Sequence, residues 1–98
     1  MIPKNRRPTH PGEILKYEFL EPLKITQQQL ADIFGITRVR VNEIILGKRK
    51  VTPDTAFRLA KYFNTTPEFW INFQNNLDMW RTFQSHKIEY EKIHPVLT

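Results

Sequence analysis

The sequence predicts a small all-α domain of five helices, and three observations carry that prediction. Apolar residues recur at intervals of three and four through most of residues 11–83. The later runs open on threonine caps and close on glycine or asparagine, and the loops between runs are short. At 98 residues the chain makes one domain, one that buries only about two-thirds of its unfolded surface, so that a second copy would help it.

Residues 1–10, MIPKNRRPTH, hold two prolines and three cations with little to bury, and are expected to form a flexible basic arm. Lys4, Arg6 and Arg7 could lie along phosphates or reach a minor groove, although the usual mobility of termini favours a plain disordered tail. Pro11 and Gly12 lead into a first amphipathic helix that buries Ile14, Leu15 and Phe19 and closes before Pro22. Glu13 and Glu18, near its start, suit the helix dipole better than catalysis.

Residues 27–47, QQQLADIFGITRVRVNEIILG, are the most informative stretch. Thr26 and Gln29 form a capping box that starts the second helix at Gln27, and Gly35 supplies the left-handed residue that ends it. Leu30, Ala31 and Phe34 make one apolar face, with Ala31 small where a neighbouring helix must approach. Ile36 is a buried turn residue, Thr37 caps the third helix, and Val41, Ile44 and Ile45 return it onto the second before Gly47 stops it. This is a helix-turn-helix. Left outside are Thr37, Arg38, Val39, Arg40, Asn42 and Glu43.

Those side-chain types suit a DNA duplex. In the major groove an arginine can make two hydrogen bonds to guanine, an asparagine two to adenine, and a valine can touch a thymine methyl. Arg38, Asn42 and Val39 are therefore the readout candidates. Gln27 and Gln28 sit at a helix N-terminus, whose free N–H groups favour a phosphate, and Lys48, Arg49 and Lys50 follow the third helix. The alternative is an ordinary helical hairpin with a solvated basic face. Caps, turn glycine, small crossing residue and outward Arg and Asn together argue against it.

Thr52, Pro53 and Asp54 open a fourth helix with Ala56, Phe57, Leu59, Ala60 and Phe63 on its core face, ending at Asn64. Thr66, Pro67 and Glu68 repeat the device for a fifth, which carries Phe69, Trp70, Phe73, Leu77, Trp80 and Phe83. Its aromatic stripe could cover the core or meet a second copy; the expected dimer contacts are Trp70, Phe73, Leu77 and Trp80. A homodimer is expected because one helix-turn-helix grips few base pairs, and a two-fold pair matched to a palindrome remedies that. The domain thus spans 11–83. Residues 84–98 alternate briefly from Lys87 to Ile93 and contain Pro95, and stay unassigned between strand, frayed helix and tail.

Composition limits the function classes. Fifteen Lys and Arg against ten Asp and Glu give a net charge of +5, which favours a polyanion but would equally suit an anionic membrane surface or simple solubility. There is no cysteine, which excludes disulfides and thiolate zinc sites and fits a reducing compartment. No apolar stretch is long enough to span a membrane and the N-terminus lacks a signal-peptide core, so a cytoplasmic location is expected. No metal site is expected, since His10, His86 and His94 lack ligand spacing, and no cofactor, since the three glycines sit at helix boundaries rather than in a phosphate loop. Ser85, the only serine, has no nucleophile elbow around it. No catalytic residue is assigned.

The segments HPGEILKYEFLEPLKITQQQLA, LGKRKVTPDTAFRLAKYF and TPEFWINFQNNLDMW, together with the helix-turn-helix, closely resemble the HigA antitoxins, also called virulence-associated protein I, across residues 10–80. Phe73 stands where many of them have leucine. The resemblance implies a phage-repressor-like helix-turn-helix fold and a dimeric repressor of its own operon, bound to a palindromic operator. It also implies neutralisation of a HigB-type toxin, an endoribonuclease that cleaves mRNA on the ribosome. Gln27, Thr37, Arg38, Val39, Arg40 and Asn42 occupy the family's DNA-binding positions, with Lys48 and Arg49 as backbone clamps. No toxin-contact motif transfers; Glu13, Glu18 and Glu21 could meet a basic nuclease or only water. A stand-alone regulator with the same fold is the alternative. A toxin-type ribonuclease fits poorly, because no acid and base converge with the arginines in a motif, and a pure protein adaptor would leave Arg38 and Asn42 without a purpose.

Overall fold

The structure is a computed structural model that describes residues 6–96. Five helices are present among them and no strand. Helix α1 is α-helical over Pro11–Ile14, π-helical over Leu15–Leu20 and α-helical again over Glu21–Leu23. Helix α2 spans Gln27–Phe34, α3 Arg38–Ile45, α4 Pro53–Phe63 and α5 Pro67–Glu91.

Helix α1 runs past the end the sequence suggested. Pro22 lies inside it, not beyond it. A proline there has no N–H to give and its ring would crowd the carbonyl four residues back. The wider π register just upstream, in which the Glu21 N–H reaches the Lys16 carbonyl, gives the chain a way to carry the ring without breaking the helix. Lys24 then ends it with a left-handed φ of 56°.

The start of α1 was expected to follow a flexible arm. Residues 1–5 of that arm lie outside the described residues, but its last residue belongs to the core: His10 is buried, and its Nδ1 accepts the Gly12 N–H at 3.1 Å as an N-cap. Gly12 is the reason α1 can dock. A Cβ there would run into the Ile44 carbonyl oxygen and lie 2.6 Å from the Ile45 carbonyl oxygen and 2.8 Å from the Ile45 Cα. Only a residue without a side chain lets α1 touch the backbone at the end of α3.

The other helices open as the sequence predicts. The hydroxyls of Thr26, Thr37, Thr52 and Thr66 accept N–H groups of Gln29, Arg40, Thr55 and Phe69, and Gln29 returns a bond to the Thr26 N–H to complete the capping box. Gly35 and Asn64 close α2 and α4 with φ of 67° and 57°. Leu15, Leu30, Ala31, Val41, Ile44, Leu59 and Trp70 form one buried cluster. Trp70 locks it, tilted against Phe19 at 5.1 Å between centroids and donating its indole N–H to the Thr65 hydroxyl at 2.8 Å. Phe57 departs from expectation, for it faces outward, and Ile36 is only half-buried. Helix α5 continues through part of the unassigned segment, with non-helical torsions at His86 and an end at Glu91. Its far half extends beyond the core and exposes Met79, Ile88 and Tyr90.

Gly12→Ala is expected to destabilise the fold by at least the ~1–3 kcal/mol of an overpacked core, since the obstacles are backbone atoms; the urea unfolding midpoint measures it. His10 generates a pH dependence. Burial lowers its pKa from 6.5, outweighing the Glu13 carboxylate that raises it, with Arg7 and Arg81 lowering it further. The unfolded chain therefore takes up the proton first, so this contribution is complete above pH 6.5 and declines as the pH falls through the folded-state value. His10→Ala should cost about 1 kcal/mol of capping at pH 8 and flatten that part of the stability profile. Thermal unfolding of both proteins between pH 5 and pH 8 checks the sign.

Candidate nucleic-acid interface

The candidate interface is built from α2 and α3. Ala31 and Leu30 pack against Val41 and its neighbours in the core, so the inner side of α3 is fixed by burial and its outer side by helical geometry. Val39 is 67% exposed, and Arg38 and Asn42 are exposed beside it. Gln27, at the start of α2, accepts a hydrogen bond from the Asn42 side-chain amide at 3.3 Å. Gln27, Arg38, Val39 and Asn42 line one shallow surface hollow. Donors, acceptors and an apolar contact from two helices thus converge on one patch.

The remaining expected residues are arranged differently. The Thr37 hydroxyl accepts the Arg40 N–H at 3.1 Å as the α3 cap. Gln28 is exposed but donates to the Asp32 carboxylate at 2.9 Å. Arg40 lies on the opposite flank of α3 from Arg38, half-buried, with its Nε buried and unpartnered. Lys48 is exposed, while Arg49 is held by Glu43 at 3.0 Å. Among the described residues Arg38, Arg40 and Lys48 make no ion pair, so their charge is available to a polyanion.

Two supports for this patch escaped sequence reasoning. Arg58 on α4 donates to the Phe34 carbonyl at 2.7 Å, which satisfies the C-terminus of α2, and Asp54 holds the same guanidinium at 3.0 Å. The i, i+4 spacing of Asp54 and Arg58 signals a surface pair, but nothing in it names Phe34. Lys50, which the sequence grouped with the cations beyond α3, reaches across to Asp78 of α5 at 3.4 Å.

The expected dimer contacts divide. Trp70 and Leu77 are corrected: at 0% and 1% exposure they fill the protomer core and have no surface to offer a partner. The two stripe residues nearest the bundle are taken by the core. Phe73 and Trp80 are half-buried, and the Trp80 indole N–H is buried without an acceptor. No helix among the described residues is long and apolar enough to cross a membrane.

A helix-turn-helix family model matches residues 16–70. Among curated relatives, the uncharacterized HTH-type transcriptional regulator YbaQ of Escherichia coli is 43% identical over 88% of this chain and 76% of its own length. Antitoxin HigA-1 of Vibrio cholerae is 41% identical over 93% of this chain and 86% of its own. Among solved structures, the Pseudomonas aeruginosa antitoxin HigA with the higBA promoter superposes with a TM-score of 0.87 at 35% identity, covering 93% of this chain and 100% of that one. With a capped helix pair, an outward polar patch and relatives matched along most of their length, this chain belongs to the HigA antitoxin family of helix-turn-helix proteins.

Proposed function

We propose that the chain is the DNA-binding antitoxin of a toxin–antitoxin pair, acting in the cytoplasm as a homodimer that represses its own operon and neutralises an mRNA-cleaving HigB-type toxin. The observation that carries this reading is the hollow shared by Gln27, Arg38, Val39 and Asn42. In a two-fold dimer, two copies of α3 would occupy successive major grooves about one duplex turn apart. Repression then follows from occupancy, because polymerase and antitoxin compete for the same promoter. Similarity to the Vibrio antitoxin and to the Pseudomonas antitoxin solved with its promoter supports both halves of the proposal. The second reading, a stand-alone regulator, is favoured by the name of the Escherichia relative and differs only in lacking a toxin; a short toxin-like reading frame beside the gene distinguishes them.

Side-chain roles follow from geometry. Arg38 and Asn42 supply directional hydrogen bonds to base edges, Val39 an apolar contact, and Gln27 holds the Asn42 amide while its own N–H lies at the phosphate-facing start of α2. Lys48 supplies charge without sequence information. A toxin bound elsewhere on the dimer would change operator affinity by linkage, and the operator would change toxin affinity by the same factor.

In a promoter gel shift, Arg38→Ala with Asn42→Ala should abolish the preference for operator over random duplex, a loss of roughly 1–3 kcal/mol for each paired contact, with the helical circular-dichroism spectrum unchanged. Retained discrimination would refute the assignment. Lys48→Ala should instead weaken operator and random DNA alike and reduce the slope of log affinity against log salt by about one.

A further inference from the structure

A cavity of about 150 Å3 lies where the start of α1, the segment after α3 and the middle of α5 meet. Its wall includes His10, Lys48, Arg49, Lys50, Gln74 and Arg81. The volume is several times the ~30 Å3 share of one water.

The charged side chains of the wall are all cations. Lysine and arginine have no acceptor at all. Arg49 and Lys50 are matched by Glu43 and Asp78, at 3.0 Å and 3.4 Å, whereas Lys48 and Arg81 make no ion pair among the described residues. Gln74 already takes the Val51 N–H at its Oε1, 2.9 Å away, and gives one Nε2 hydrogen to Asp78 at 3.0 Å, which leaves its second amide hydrogen to donate. His10 accepts the Gly12 N–H at Nδ1, which leaves the neutral ring's proton on Nε2. Glu13 stands 3.4 Å from that nitrogen. Gly47 completes the wall with φ of 75°, and even a Cβ there would lie 3.3 Å from the imidazole.

Water serves such a wall poorly, since each molecule brings as many hydrogens as it takes. A tetrahedral oxyanion brings chiefly acceptors, and the opposite charge. We infer that this cavity is a binding site for one phosphate-sized oxyanion, held by Lys48 and Arg81 with His10 at its wall. The same chemistry is offered by inorganic phosphate and by a phosphodiester of duplex DNA. Lys48 is shared with the DNA-binding reading, but the site requires no duplex, so phosphate binding measured without DNA succeeds or fails independently of operator recognition.

The test is a titration of inorganic phosphate into the full chain without DNA, at constant ionic strength balanced with chloride, followed by NMR. The His10 ring, the Gln74 side-chain amide and the Gly47 amide should shift together and saturate. Arg81→Gln should weaken the response about tenfold or more, with Arg81→Lys retaining most of it and Lys48→Gln weakening it independently. Shifts that fail to saturate, or that are the same in wild type, Arg81→Gln and Lys48→Gln, would overturn the inference. Repeating the titration with bound duplex separates the two sources. Loss of the phosphate response identifies a backbone phosphate as the occupant of the complex, and its persistence identifies a site for the free anion.

Discussion

Helix α3 has eight residues, too few to hold a helix by itself in water, and the rest of the molecule is arranged around keeping it in place. Its inner residues Val41, Ile44 and Ile45 are buried, and that burial determines which side chains face outward. The orientation of Arg38, Val39 and Asn42 is thus a consequence of packing. No interaction among those residues themselves would produce it.

Three contacts clamp α3 and its partner helix from different directions. The start of α1 rests on the final carbonyls of α3 through the bare backbone of Gly12. Arg58 ties the end of α2 to α4. Glu43 receives the backbone N–H groups of Lys48 and Arg49 at its carbonyl, 2.8 Å and 3.2 Å away, and the Arg49 guanidinium at its carboxylate, which folds the segment after α3 against the helix. Polar residues therefore set the position of the outward side of α3 as firmly as the apolar core does.

Much of this was legible in the sequence because it rests on local chemistry. Threonine caps, the capping box of Thr26 and Gln29, and the left-handed Gly35 and Asn64 each act within a few residues, so spacing alone reveals them. The features that were not legible depend on distant partners. Gly12 reads as a helix-boundary residue until Ile44 and Ile45 are brought against it, and His10 reads as part of the arm until its ring is buried beside Gly47. The π register that carries Pro22 has no one-residue signature. In α5, periodicity identified the apolar stripe but not its division, since the choice between core and surface for Trp70, Leu77, Phe73 and Trp80 depends on how far the other helices reach along it.

The orientation of α3 against a duplex can be measured directly, because the chain contains no cysteine and a single introduced thiol is labelled uniquely. A Val39→Cys protein carrying a tethered iron chelate would cleave bound operator wherever position 39 lies. Two symmetric cleavage clusters about one duplex turn apart are the result this account predicts. Uniform cleavage along the fragment, or none on DNA that the protein demonstrably binds, would contradict it.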